Sequence, residues 1–153
     1  MDNPYSPPSV DVAFAPRITL YSPGQIAWAT FLGAPIAGCW LLALNYKRLG
    51  QATAAGAAVA VGLAGTVLLF AIAFVLPDNF PNSVMPAIYV FCTYQIVKQL
   101  QGKTFEERLA IDGQKGSGWI ATGVGILCMI LVMAALVAVL FVMPEEWLGE
   151  AIP

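Results

Sequence analysis

Three apolar runs without a single Asp, Glu, Lys or Arg dominate the chain: residues 26–44, 54–76 and 119–143. A bilayer crossing takes about 20 consecutive, largely uncharged apolar residues, and each run meets that length. A fourth stretch, residues 83–101, interleaves apolar positions with Tyr89, Thr93, Tyr94, Gln95, Lys98 and Gln99. As a helix it is about 28 Å long, close to one hydrocarbon core. Hydropathy alone leaves open whether this stretch crosses or lies at the interface.

The placement of charge settles the expectation. Residues 45–51 hold Lys47 and Arg48, and residues 97–116 hold Lys98, Lys103, Arg108 and Lys115, which together are six of the seven basic residues. Loops rich in Lys and Arg stay in the cytoplasm, so the chain must cross between Asp78 and Lys98. The predicted fold is an all-α integral membrane protein, a four-transmembrane-helix bundle with spans about 25–46, 53–76, 83–100 and 118–143 and both termini periplasmic. A Pro-rich tail (residues 1–24) precedes the bundle and a short acidic tail (residues 145–153) follows it. This arrangement leaves a net charge near -5 outside and +3 inside, with Arg17 the one base outside. Tyr21, Trp28 and Trp147 then fall near the outer surface and Tyr46 and Trp119 near the inner one, as interfacial aromatics do.

Local signals mark the ends of these elements. Ser22-Pro23-Gly24-Gln25 reads as a capping box opening helix 1, and Gly50 after Lys47, Arg48 and Leu49 as its C-terminal stop. Pro77 and Pro81 forbid helix in the next connection, and Asn82 or Ser83 caps helix 3. Thr104-Phe105-Glu106-Glu107 forms a second capping box, predicting a short cytoplasmic interfacial helix over residues 105–112. The alternation at residues 12–15 and 18–21 predicts extended segments on the outer face, a disordered tail being the alternative. Asp2 and Asp11 stand where a cleavable signal would be basic and apolar, so no signal peptide is expected.

Composition narrows the chemistry. Of 153 residues, 59% are hydrophobic and 10% charged, and there is no histidine; an average soluble domain carries about 25% charged residues. Imidazole acid-base catalysis, histidine-ligated haem and most catalytic zinc sites are thereby excluded. A net charge of -2 gives no electrostatic footprint for nucleic acid. The spans also lack the buried ionisable groups on which proton-coupled transport and intramembrane catalysis depend. The expectation is a non-enzymatic protein with no cofactor and no metal. Cys39, Cys92 and Cys128 all fall within spans and read as packing residues. Gly102-Lys103-Thr104 copies the end of a phosphate loop, but Val97 stands where its leading glycine belongs.

Helix 2 carries small residues at four-residue spacing, Gly56, Ala60 and Ala64 on one face and Ala58, Gly62 and Thr66 on another. Such faces permit close helix approach, either to another chain or to helix 1, whose Gly33, Ala37 and Gly38 are also small. Pro35 removes a backbone hydrogen bond and predicts a kink; with Gly33 and Gly38 it resembles the broken helices of transporters. Helix 3 bears a polar stripe, Cys92, Gln95 and Gln99 with Tyr89 and Thr93 beside it, which either lines a path or hydrogen-bonds to neighbouring helices. Lys115, at the entry to helix 4, is a candidate contact for a lipid headgroup.

Residues 21–27 (Tyr-Ser-Pro-Gly-Gln-Ile-Ala), with Thr30, Phe31, Leu32, Gly33, Pro35, Ala37, Gly38, Asn45, Tyr46, Leu49 and Gly50, resemble an uncharacterised family of small polytopic bacterial membrane proteins. The resemblance is clearest over residues 21–50. It implies a bacterial inner-membrane setting and supplies no catalytic residues. The expected partners are the lipid bilayer and another membrane protein, a membrane-acting toxin, or a second copy of the chain. The expected role is an immunity factor against such a toxin or an accessory subunit, with a small oligomeric channel or facilitator as the alternative.

Overall fold

A computed structural model describes residues 18–142 apart from 78, 82 and 112. The Pro-rich tail before Ile18, the extended segment at residues 12–15, and Trp147 with the acidic tail lie outside the described residues. Four helices account for nearly all of the remainder: α1 (Pro23–Arg48), α2 (Ala52–Val75), α3 (Val84–Ala110) and α4 (Gly118–Val142). Two-residue strands, β1 (Thr19–Leu20) and β2 (Gln114–Lys115), pair in parallel, Thr19 opposite Gln114 and Leu20 opposite Lys115. The chain is all-α in class. By length and composition α1, α2 and α4 are each long and apolar enough to cross a membrane.

The ends of α1 follow their local signals. Ser22 accepts the Gln25 backbone N–H at 3.3 Å while the Gln25 side chain accepts the Ser22 N–H at 2.9 Å, completing the capping box ahead of Pro23. At the other end Gly50 adopts φ +77°, Gln51 N–H donates to Tyr46 C=O and Gly50 N–H to Lys47 C=O, the double closure of a Schellman turn.

Between those ends α1 does not run straight. Gly33 (φ -120°, ψ 27°) and Ala34 (φ 62°, ψ 179°) leave the helical region, and the chain reverses there. One arm spans residues 23–32, about 15 Å, and the other residues 35–48, about 21 Å. The reversal is fixed by contacts that a straight helix forbids. Tyr21 and Asn45, 24 residues apart, exchange backbone and side-chain hydrogen bonds, and Arg48 Nη1 donates to Thr19 C=O at 2.6 Å. Gly38 packs so closely on Thr30 and the Ile26 carbonyl that an added Cβ would overlap the Thr30 hydroxyl.

The stretch expected as one crossing over residues 25–46 keeps the length and apolarity of a span but is folded back on itself. Neither arm has the reach of a 30 Å hydrocarbon core, and Tyr21 stands beside Arg48 rather than at the opposite end of the bundle. Pro35 takes the first position of the second arm, where its missing N–H costs nothing. The next donor, Ile36 N–H, is capped from outside the helix by Thr66 Oγ1 of α2 at 3.0 Å, and Thr66 in turn donates to Gly62 C=O.

The folded α1 is the hub on which the other three helices pack, with few contacts among those three. Helix α2 lies on the second arm, where a Cβ on Gly62 would come within 2.5 Å of Cys39 Cβ. Helix α4 lies on the first arm, Gly125 against Leu32 and Ala29, and its Gly125 carbonyl meets Gly33 at the tip. Helix α3 joins through Val97 and Gln101. Ile26, Ala29, Ala37 and Leu41 are fully buried at the centre. The separate interfacial helix expected over residues 105–112 is absorbed into α3, because Gly102 is the sole weak former near the junction and one glycine costs only about 1 kcal/mol. Ser83 is the N-cap of α3 without a side-chain cap bond, and Asn82 lies outside the described residues.

Candidate functional site

At the end where α1 begins and finishes, polar groups are gathered and buried. Asn45, 1% exposed, holds the Tyr21 backbone from both sides: its Oδ1 accepts Tyr21 N–H at 2.8 Å and its Nδ2 donates to Tyr21 C=O at 2.9 Å. The same Nδ2 donates to Gln101 Oε1 of α3 at 3.0 Å. Gln101 is buried too, and its Nε2 has no hydrogen-bond partner. The Arg48 guanidinium lies 5.1 Å over the Tyr21 ring. Gln25 Nε2 donates to Gly116 C=O at 2.6 Å, fastening the α3–α4 connection to the same end. Two apolar arms thus close through one amide side chain and β1, and the basic residues Lys47, Arg48 and Lys115 belong to that end.

The sequence-nominated residues separate into inward and outward sets. Gly33 and Ala37 are buried in the hub. On α2, the face that packs on α1 is Ala58, Gly62 and Thr66, all buried, whereas Gly56, Ala60 and Ala64 point away and are exposed. Of the two small faces expected on α2, the one that meets the second arm is Ala58, Gly62 and Thr66, so Gly56, Ala60 and Ala64 do not pack on Gly33 and Ala37 within the chain.

On α3 the inward positions are Val97 and Gln101. Cys92, Gln95 and Gln99 lie nearly opposite them at 100° per residue, and all three are exposed. Tyr89 and Thr93 are half-buried. Thr93 faces a groove between α2 and α3, a cavity of about 360 Å³ floored by Pro35, Cys39 and Leu42 and otherwise walled by apolar side chains such as Val61, Ile96 and Leu100. The stripe and the groove are thus different surfaces, and the stripe does not line a space within the chain.

Lys115 borders an open cavity of about 570 Å³ with Gln25, Trp28, Trp119 and Thr122, where Trp28 Nε1–H donates to Thr122 Oγ1 at 3.2 Å. Among the described residues no three His, Cys, Asp or Glu side chains come together as a metal site would need.

Gln101 was passed over by sequence reasoning, and Asn45 and Thr66 were named there without the hydrogen bonds they make. Their signal was present, an amide or hydroxyl within or at the edge of an otherwise apolar helix, which in such a setting must find a partner. The chain matches no family model, and neither curated proteins nor solved structures offer a similar one.

Proposed function

We propose that the chain is a non-enzymatic, multi-pass protein of a bacterial inner membrane in which α2, α3 and α4 cross and α1 dips in and returns to the side it entered from. The distribution of charge supports this orientation. Lys47, Arg48, Lys98, Lys103, Arg108 and Lys115 all belong to the end where α1 opens and closes. These six of the seven bases then fall on the cytoplasmic side. The α2–α3 connection and the far end of α4 face the periplasm.

The protein's work, in this reading, is contact with another polypeptide within the bilayer, as an immunity factor against a membrane-acting toxin or as an accessory subunit. One observation carries it: Cys92, Gln95 and Gln99 form a polar stripe on the face of α3 turned away from its own bundle. Gln95 lies about 9 Å along the helix from Gln101, below the polar end. Polar side chains at such depth face protein rather than lipid, and glutamine bonds across helix pairs contribute roughly 0.6–2 kcal/mol each. The groove between α2 and α3 is too apolar to serve as a hydrated path in one chain, which leaves the channel reading without support at this level.

A photo-activatable residue placed at Gln95 is expected to form a protein adduct in intact membranes, and the same residue at Ile130, on the outer face of α4, is expected to label lipid only. Equal protein labelling at both positions, or none at Gln95, overturns the reading. If the role is immunity, cells lacking the gene lose survival in competition with a toxin-producing neighbour, and Gln95→Leu with Gln99→Leu reproduces that loss.

A further inference from the structure

We infer that the polypeptide meeting the α3 stripe is a second copy of this chain, docked α3 against α3 about a two-fold axis parallel to the helices. This rests on the reading of the stripe as a protein contact and names its occupant.

Three features of α3 fit a second copy. Ile88, Cys92, Gln95 and Gln99 follow one another at intervals of four, three and four residues, the spacing of a seam along which two helices run side by side. Ile88 is 52% exposed and Cys92, Gln95 and Gln99 are exposed, so the seam is open. The side chains are also self-complementary. A two-fold axis sets each residue opposite itself, and a primary amide, with two donors and an acceptor, satisfies its own twin without help from any other residue type. No charge occurs between Val84 and Val97 to repel an identical helix or to demand an oppositely charged one.

Finally, the folded α1 reaches only one end of α3. Its buried residues are Val97, Gln101 and Gly102, and residues 84–96 include none that is fully buried. On the half of α3 before Val97, the bundle covers one side only in part, with Tyr89, Val90, Thr93 and Tyr94 half-buried, and leaves the side with Ile88, Cys92 and Gln95 exposed. Helices α2 and α4 pack chiefly on α1, and α2 borders α3 only across the apolar groove on the Thr93 side.

The cysteines supply the test in the unaltered chain. Cys92 is exposed, Cys39 half-buried and Cys128 buried, so a short bifunctional maleimide applied to membranes is expected to join two copies through Cys92. Cys92→Ser should abolish the dimer, Cys39→Ser and Cys128→Ser should leave it, and Ile130→Cys in the Cys92→Ser background should not restore it. Gln95→Leu should weaken self-association about three- to tenfold, as expected for losing one interhelical amide bond, and Gln95→Asn should recover part of it.

Because Gln95 is exposed within its own bundle, the helical content of these variants should match the natural chain. Should a variant fail to fold, the cross-link of the natural chain still decides. An adduct at Cys92 with a different polypeptide overturns the second copy and leaves the partner-binding reading standing. No adduct with any polypeptide, together with an unchanged Gln95→Leu variant, overturns both.

Discussion

Asn45→Leu removes the buried amide bonds that close α1, leaving only the exposed Arg48–Thr19 bond across the same end, and strands Tyr21 N–H, Tyr21 C=O and the Gln101 oxygen in a buried site. Each buried group left unpaired costs about 1–3 kcal/mol, so this substitution is expected to be among the most damaging in the chain, read as loss of resistance to unfolding in mixed detergent micelles. Gln101→Leu should cost much less, because it deletes an amide nitrogen that already lacks a partner while stranding a single Asn45 donor. The order of the two, Asn45 well above Gln101, checks that Asn45 is the organising residue. Thr66→Val strips the cap from Ile36 N–H at the tip of α1. It is expected to cost about 1–2 kcal/mol by the same measurement, with Thr66→Ser close to the natural protein.

At the scale of the element, α1 holds strain and close contact where it turns. Ala34, with φ 62° and ψ 179°, occupies backbone space that glycine alone enters freely. Ala34→Gly is therefore expected to raise stability by about 1 kcal/mol, after the entropy glycine adds to the unfolded chain. Gly38→Val should prevent the arms from closing, since even a Cβ overlaps Thr30, whereas Gly56→Ala on α2 meets open space and should be neutral or slightly stabilising.

These positions also explain what was legible beforehand. The capping box at Ser22, the stop at Gly50 and the break near Pro35 are local features, visible within a few residues. That the break is a reversal is not local. The two arms together have the length and apolarity of one span, and it is the meeting of distant residues, Tyr21 with Asn45, Thr19 with Arg48 and Thr30 with Gly38, that separates a folded α1 from a kinked one. The outward stripe of α3 was visible as a stripe. Its direction followed from Val97 and Gln101, which lie on the opposite face and find α1. The interfacial helix was expected from a real capping pattern at Thr104 that a continuing helix overrode.

Across the whole molecule, packing is concentrated in one half. Because α1 turns back at Ala34, the basic end of the bundle has a core of Ile26, Ala29, Ala37 and Leu41, while the far halves of α2 and α4 leave Val67, Val75, Met133 and Phe141 exposed. In a bilayer those side chains face hydrocarbon, which as a solvent is as apolar as they are. This division also sorts the charge, since folding α1 back brings β1 to the end that holds Lys47, Arg48 and Lys115.

The reversal of α1 can be measured as a single distance between Gly24 and Gly50, where an added side chain meets no other atom and the φ of +77° at Gly50 makes substitution cost about 1–2 kcal/mol. With Cys39, Cys92 and Cys128 replaced by alanine, spin labels on Gly24→Cys and Gly50→Cys should give a narrow separation well under half that of a straight helix. A separation near 39 Å, the rise of 26 helical residues, would contradict the folded α1 and restore a single crossing.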